Sequence, residues 1–244
     1  MLVMGFPQFQ FQDDMKFRNG IAPIPQWEIS PVQPHELGSL PTPLPLDEFD
    51  IDPTVKEVLI QLQAISHQYQ INSQSSIPPI LTIAEIHDLA SFALHILLQH
   101  PQSEMPASIS ECIRYGLCIY MFILHGPTYY SHAAILNTLV LQLQHQIMAL
   151  VSQKALCGEV QTWIYSMGLV GSIGTETHDW FLKQSAMVSN RLEIDSWELV
   201  KSQLESIVWL PNMMCEMVFR QTWETIITAP ARTSPVGVKH EVDE

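Results

Sequence analysis

Ten histidines and four cysteines are the residues of this 244-residue chain best suited to metal binding or acid–base chemistry. Their spacing assembles neither. His87, His95 and His100 fall on one expected helix, but intervals of eight and five do not stack two imidazoles on adjacent turns as an i, i+4 pair would. His178 and Asp179 lie beside Glu176, yet adjacent helical residues point apart. The trio therefore reads as a capping or surface cluster ahead of Trp180. His125, just before Gly126, is expected at a helix C-terminus, where an imidazolium meets the negative end of the dipole. Cys112, Cys118, Cys157 and Cys215 share no C-x-x-C spacing and are too few and scattered for a disulfide framework. No G-x-S-x-G, H-E-x-x-H, P-loop or G-x-G-x-x-G occurs. The expectation is no catalytic residues, no cofactor-binding residues, no metal ligands and no enzyme activity.

Asp47-Glu48-Phe49-Asp50 superficially resembles the aspartate clusters that bind magnesium in all-helical terpene synthases. Those clusters need carboxylates on a helix face turned into a cavity. This one follows Pro45 in a linker, and no second metal-binding box appears downstream. Leu44 to Ile51 also reads as an acidic–hydrophobic recruitment segment. The reading that fits best is simpler: Asp50 and Asp52 supply negative charge to the first helix N-terminus.

The elements that would position these residues are helices. Asp52-Pro53 reads as an N-cap with proline at the first helical position. Val55, Val58, Leu59, Leu62, Ile65 and Tyr69 then recur at steps of three and four to about Gln70. Thr82 to Glu85 has the capping-box form and opens a helix that Pro101 stops after His100. Ser108 to Glu111 repeats that form, and Gly126-Pro127 ends the third helix. A fourth helix runs from about Ser131 into the Gln-rich stretch Leu141 to Gln146, and a fifth from about Leu156 to Val170. Asp179 to Leu192, Ser196 to Leu210 and Asn212 to Ile227 complete the set. Asp195 and Ser196 offer capping oxygens to the seventh. Gly168, Gly171 and Gly174 read as a device for close helix approach, and the tryptophans Trp163, Trp180, Trp197, Trp209 and Trp223 as core anchors. The strongest membrane candidate, Ile109 to Leu124, contains Glu111 and Arg114 and is shorter than the ~20 apolar residues of a span, so it reads as a core helix.

Composition sets the organisation. Eight of the 17 prolines precede Asp50, among Gln-rich stretches such as Gln8 to Gln12. Residues 1–50 are therefore expected to form a flexible, disordered Pro/Gln-rich arm. Residues 52–228 are expected to form an all-α single domain of about eight helices, and residues 229–244 a loose acidic tail. The net charge of −14, with only Lys56 and Arg114 basic between Arg18 and Lys154, argues against direct nucleic-acid binding. Charged residues make up only 15% of the chain, which suggests apolar surface that needs a partner. The first residues lack the basic region of a signal peptide, so the expected location is intracellular, with free buried thiols.

Four stretches, in order, resemble the fungal-specific transcription factor domain found downstream of binuclear zinc clusters. They are Ile109 to Arg114 opening an apolar helix, and Trp163 to Gly171 with its small residues. The Trp180-Phe181 pair follows, and then Ser196 to Val200 with Val208-Trp209-Leu210 and Trp223-Glu224. A weaker likeness runs through Pro41 to Pro53. The family's six-cysteine zinc cluster has no counterpart here. The resemblance implies a nuclear, transcription-regulator-like protein without its own DNA-binding module. Such a protein would act on a fungal gene set, such as a secondary-metabolite cluster, through protein contacts with transcriptional machinery, a full-length zinc-cluster factor or itself. Two alternatives are a helical small-molecule-binding sensor with an apolar cavity for an effector, and a fragment of a full-length zinc-cluster factor. A sensor needs a pocket, whereas a contact module shows an exposed apolar patch.

Overall fold

The computed structural model describes Trp27 and residues 49–73, 82–99, 108–126, 130–151, 158–210 and 212–229. Among these residues there are eight helices and no strand, so the fold is all-α. The helices are α1 (Pro53–Ser73), α2 (Ile83–Gln99), α3 (Ile109–His125), α4 (Tyr130–Val151), α5 (Gly158–Gly171), α6 (His178–Arg191), α7 (Trp197–Ile207) and α8 (Met213–Ile227). The expected arm and tail lie almost wholly outside the described residues, as do Asp47, Glu48, His100 and Cys157. Trp27, Phe49 and Asp50 are the described residues within the arm, and the Trp27 ring packs edge-on against Phe92 of α2 at 5.0 Å.

The helix starts follow local hydrogen bonding. Asp52 Oδ1 accepts from the amides of Thr54 at 2.8 Å and Val55 at 3.3 Å, capping α1. The Thr82–Glu85 box is reciprocal: Glu85 N–H donates to Thr82 Oγ1, and Thr82 N–H donates to Glu85 Oε2. At α3 only half the box forms. Ser108 Oγ accepts from the Glu111 amide at 3.2 Å, but the Glu111 carboxylate turns away to Arg114. A buried guanidinium requires a paired anion, and that demand outweighs the second cap bond. Asn212 Oδ1 caps α8 through the amides of Met214 and Cys215. Ser196 departs from expectation, because its side chain makes no capping bond. The first turn of α7 is held instead by burial of Trp197.

Two helices form the centre. Every residue of α3 from Ser110 to Phe122 and every residue of α5 from Val160 to Gly171 is buried. A helix apolar on all sides belongs in the interior, with neighbours all round. Accordingly α3 touches α1, α2, α4 and α5, and α5 touches α3, α4, α6, α7 and α8. The Ile109–Leu124 stretch is thus a core helix. Close approach depends on small residues. A Cβ on Gly116 of α3 would lie 2.5 Å from the Trp163 ring of α5, and one on Gly168 would overlap the Phe181 ring of α6. Gly171 faces Ile119 and Val140 in the same way. Gly174 differs: it stands in open space at φ +80°, a turn position rather than a packing one.

Several boundaries differ from expectation: α1 runs past Gln70 to Ser73, and α4 past Gln146 to Val151. α5 begins at Gly158, whose φ of +55° marks the entry of the chain. α7 stops at Ile207, and Val208, expected to be helical, is extended at φ −156°, ψ 123°. Leu210 precedes a proline in the sequence, which disfavours helical backbone there. The extended residues are stabilised by the side chains described next.

Candidate functional site

Val208, Trp209 and Leu210 run through the interior, so their backbone groups need partners. Three helices supply them. Trp163 Nε1 of α5 donates to Val208 O at 3.1 Å, and Ser66 Oγ of α1 donates to Trp209 O at 2.5 Å. Leu210 N–H donates to the Tyr120 hydroxyl of α3 at 2.7 Å. The Trp209 ring meets Tyr120, Trp197 and Phe219 at centroid distances of 6.0, 6.3 and 5.1 Å. Three residues further along α5, Trp223 Nε1 donates to Ser166 Oγ at 3.0 Å. Of the residues carrying the sequence resemblance, Trp163, Trp197 and Val208 to Leu210 therefore meet in one buried hub, as packing and hydrogen-bonding parts. Trp180 is the outlying tryptophan of the five, half-buried beside Tyr165 and Phe181.

Glu111 and Arg114 make the buried ion pair, with N–O separations of 3.0 and 2.7 Å, and Arg114 also donates to Leu97 O of α2 at 3.3 Å. The pair ties α2 to α3. His178 has the capping role: its Nδ1 lies 3.2 Å from both Leu169 O and Ser172 Oγ, at the end of α5. Cys112, Cys118 and Cys215 are free buried thiols, and burial pushes each up to about 12. Thiols so rarely ionised are poor nucleophiles.

The histidines produce an arrangement not anticipated from spacing. His87 of α2 stacks on His125 of α3 at 4.1 Å, and His125 meets His132 of α4 edge-on at 5.3 Å. Helical intervals test neighbours only within one helix, and these contacts cross three. Burial first, then the neighbouring His87 and His132, hold His125 below its ordinary value of 6.5. That corrects the expectation of an imidazolium at this helix end: its surroundings favour the neutral ring. Beside His125 and His132, a cavity of about 240 Å³ opens between α2, α3 and α4. Ser91, Leu94, His95, Phe122, His125, His132 and Ile135 line it. Among the described residues no group of three or more His, Cys, Asp or Glu is arranged to hold a metal ion.

α4 forms one wall of this cavity and carries a second feature. Its 22 residues contain no Asp, Glu, Lys or Arg. Leu139, Val140, Leu143, Ile147 and Leu150 are buried, whereas Ala134, Leu141, His145 and Met148 are exposed on the opposite face. Leu141 is 44% and Met148 51% accessible. His132–Leu150 has the length and composition to cross a membrane, yet only 28% of that window is buried. The helix nevertheless packs along α3 and α5 through its inner face. The low burial reflects an outer face without a neighbour among the described residues.

Compared with known families, curated proteins and solved structures, the chain finds no match.

Proposed function

We propose that this chain is a regulatory module of the transcription-factor kind that acts through contact with another protein along the outer face of α4. The observation carrying this reading is the combination of exposure and zero charge on that face. On a chain of net charge −14, an uncharged apolar stripe is a surface where another protein can dock without meeting like charges. Its spacing suits a helix as occupant. Ala134, Leu141 and Met148 recur every seven residues, with Thr138 and His145 between them. This is the pattern of a coiled-coil seam, with the two polar residues at one seam position of each heptad. The stripe spans about 21 Å at 1.5 Å per residue, too short to pair strongly alone, which suits reversible association.

Three further observations support a non-catalytic, non-DNA-binding role. Parts of the stretches resembling the fungal transcription factor domain, Trp163, Trp197 and Val208 to Leu210, pack together in one hub. The net charge of −14 is unfavourable to phosphates, and Arg114, Lys201 and Arg220 are each engaged by a carboxylate. The buried thiols and the paired Glu111 offer no activated nucleophile.

The experiment is to tether the full chain to an unrelated DNA-binding domain and read a reporter gene in fungal nuclei. The expected outcome is several-fold activation or repression relative to the DNA-binding domain alone. An unchanged reporter overturns the proposal. Binding of the purified chain to neutral lipid vesicles would also overturn it, reassigning the α4 face to a membrane.

A further inference from the structure

Three of the first five residues of α8 are methionines open to solvent. Met213, Met214 and Met217 are 85%, 68% and 53% accessible, while Cys215, Phe219 and Trp223 are buried on the other side of the helix. Methionine is unbranched and polarisable, and it suits apolar surfaces that adapt to a partner. Carboxylates border this ridge. Glu216 stands between Met213 and Met217, and its Oε1 accepts from Lys201 Nζ of α7 at 3.0 Å. On α7, Glu198 and Glu205 lie one turn before and one turn after Lys201, on the same side of the helix. Neither makes a hydrogen bond or an ion pair among the described residues. Burial holds the half-buried Glu205 carboxyl above its ordinary range; Lys201 opposes that rise, and Glu216 and Glu198 add to it. One lysine therefore serves three carboxylates.

From this apolar ridge beside carboxylates short of cations, we infer that the α7–α8 surface docks a basic amphipathic helix. The partner's apolar face covers Met213, Met214 and Met217, and its lysines or arginines meet Glu198 and Glu205. Those two carboxylates are seven residues apart, two turns or about 10.5 Å along α7, which matches basic side chains at i and i+7 of a partner helix. A neutral apolar partner could cover the methionines but would leave the half-buried Glu205 without a counter-charge, and an acidic one would add repulsion. The surrounding chain agrees: residues 193–228 hold six carboxylates and only two cations, Lys201 and Arg220. Arg220 is itself paired with Glu224 at 2.8 Å. The net charge of −14 also steers a cationic partner toward the chain. This surface lies on other helices than the outer face of α4, and it stands separately from the function proposed above.

The test titrates the full chain, at about 0.15 M salt, into three labelled peptides of about 14 residues and follows fluorescence anisotropy. The first is an amphipathic helix of leucine and lysine, the second has glutamate in place of lysine, and the third is oligolysine. The leucine–lysine peptide should saturate with Kd on the order of 10 μM. Oligolysine should bind at least about ten-fold more weakly for want of an apolar face, and the leucine–glutamate peptide should not saturate. Met213→Gln with Met217→Gln changes only exposed side chains, so the variant should fold normally and lose about ten-fold in affinity for the leucine–lysine peptide. Glu198→Gln with Glu205→Gln should weaken it several-fold and flatten its dependence on salt. Leu141→Gln with Met148→Gln, on α4, should leave it unchanged. Four results would each overturn the assignment: no saturation up to about 100 μM, equal binding of oligolysine, full affinity in the folded methionine variant, or an equal loss in the α4 variant.

Discussion

The indole N–H of Trp163 donates to the carbonyl of Val208 at 3.1 Å, joining the central helix α5 to the extended turn between α7 and α8. Around that bond, Ser66 and Tyr120 satisfy the next two residues, so three helices are locked to one short piece of chain. Tyr120→Phe should leave the Leu210 amide buried without a partner, at a cost of about 1–3 kcal/mol. Chemical denaturation of the variant measures it, and a loss well below that range would show that the amide finds water.

The two buried tryptophans that anchor the C-terminal half should respond differently to Phe. Trp223 loses a hydrogen bond to Ser166, whereas the Trp209 indole N–H is buried with no hydrogen-bond partner. Trp209→Phe should therefore be the milder of the two, although Trp209→Ala should cost about 3–5 kcal/mol through the cavity it leaves. His178→Ala removes only the contacts at the end of α5, worth about 1 kcal/mol, and should melt close to the parent. Thermal melts of the four variants give the ranking.

Most of the helices can be read from the sequence because each start has a chemical marker: Asp52, Thr82 with Glu85, Ser108 and Asn212 all cap as their types suggest. Apolar steps of three and four likewise place Trp197, Val200, Leu204 and Ile207 on a buried face. What could not be read involves contacts between helices. Val208–Leu210 continues an apolar helical pattern, and only the distant partners Ser66, Tyr120 and Trp163 draw it out straight. His87, His125 and His132 are separated by 38 and 7 residues along the chain, so no periodicity links them. The Gly116–Trp163 contact is equally silent, since an isolated glycine in a helix does not say which ring will cover it. The exposed face of α4 was hidden for the opposite reason: an uncharged apolar helix looks the same whether its outer side is covered or bare.

Arg114 offers a test of the buried pair. Arg114→Met strands the Glu111 carboxylate and should cost about 3–5 kcal/mol, while adding Glu111→Gln should recover part of that loss. Denaturation of the single and double variants decides it. If the second substitution deepens the loss, the carboxylate is solvated without its partner.

The buried histidines make stability depend on pH. His67, His95 and His125 are all held below 6.5, chiefly by burial. Between the folded values and 6.5 the unfolded chain binds more protons, so stability falls as pH drops through that window and is fully present above it. Melting temperatures should decline from pH 7.5 to pH 5.5, and His67→Phe should flatten the decline. A melting temperature that rises on acidification would show these imidazoles to be stabilised as cations.

The central claim concerns the outer face of α4. Leu141→Glu with Met148→Glu places two charges on the exposed stripe and leaves the buried face intact, so the melting temperature should stay within a few degrees. In the tethered reporter, this pair should abolish the activation or repression produced by the parent chain. Ser202→Glu, on an exposed position of α7, should leave it unchanged. A Leu141→Glu/Met148→Glu chain that is folded, present at parental levels and as effective as the parent would contradict the account.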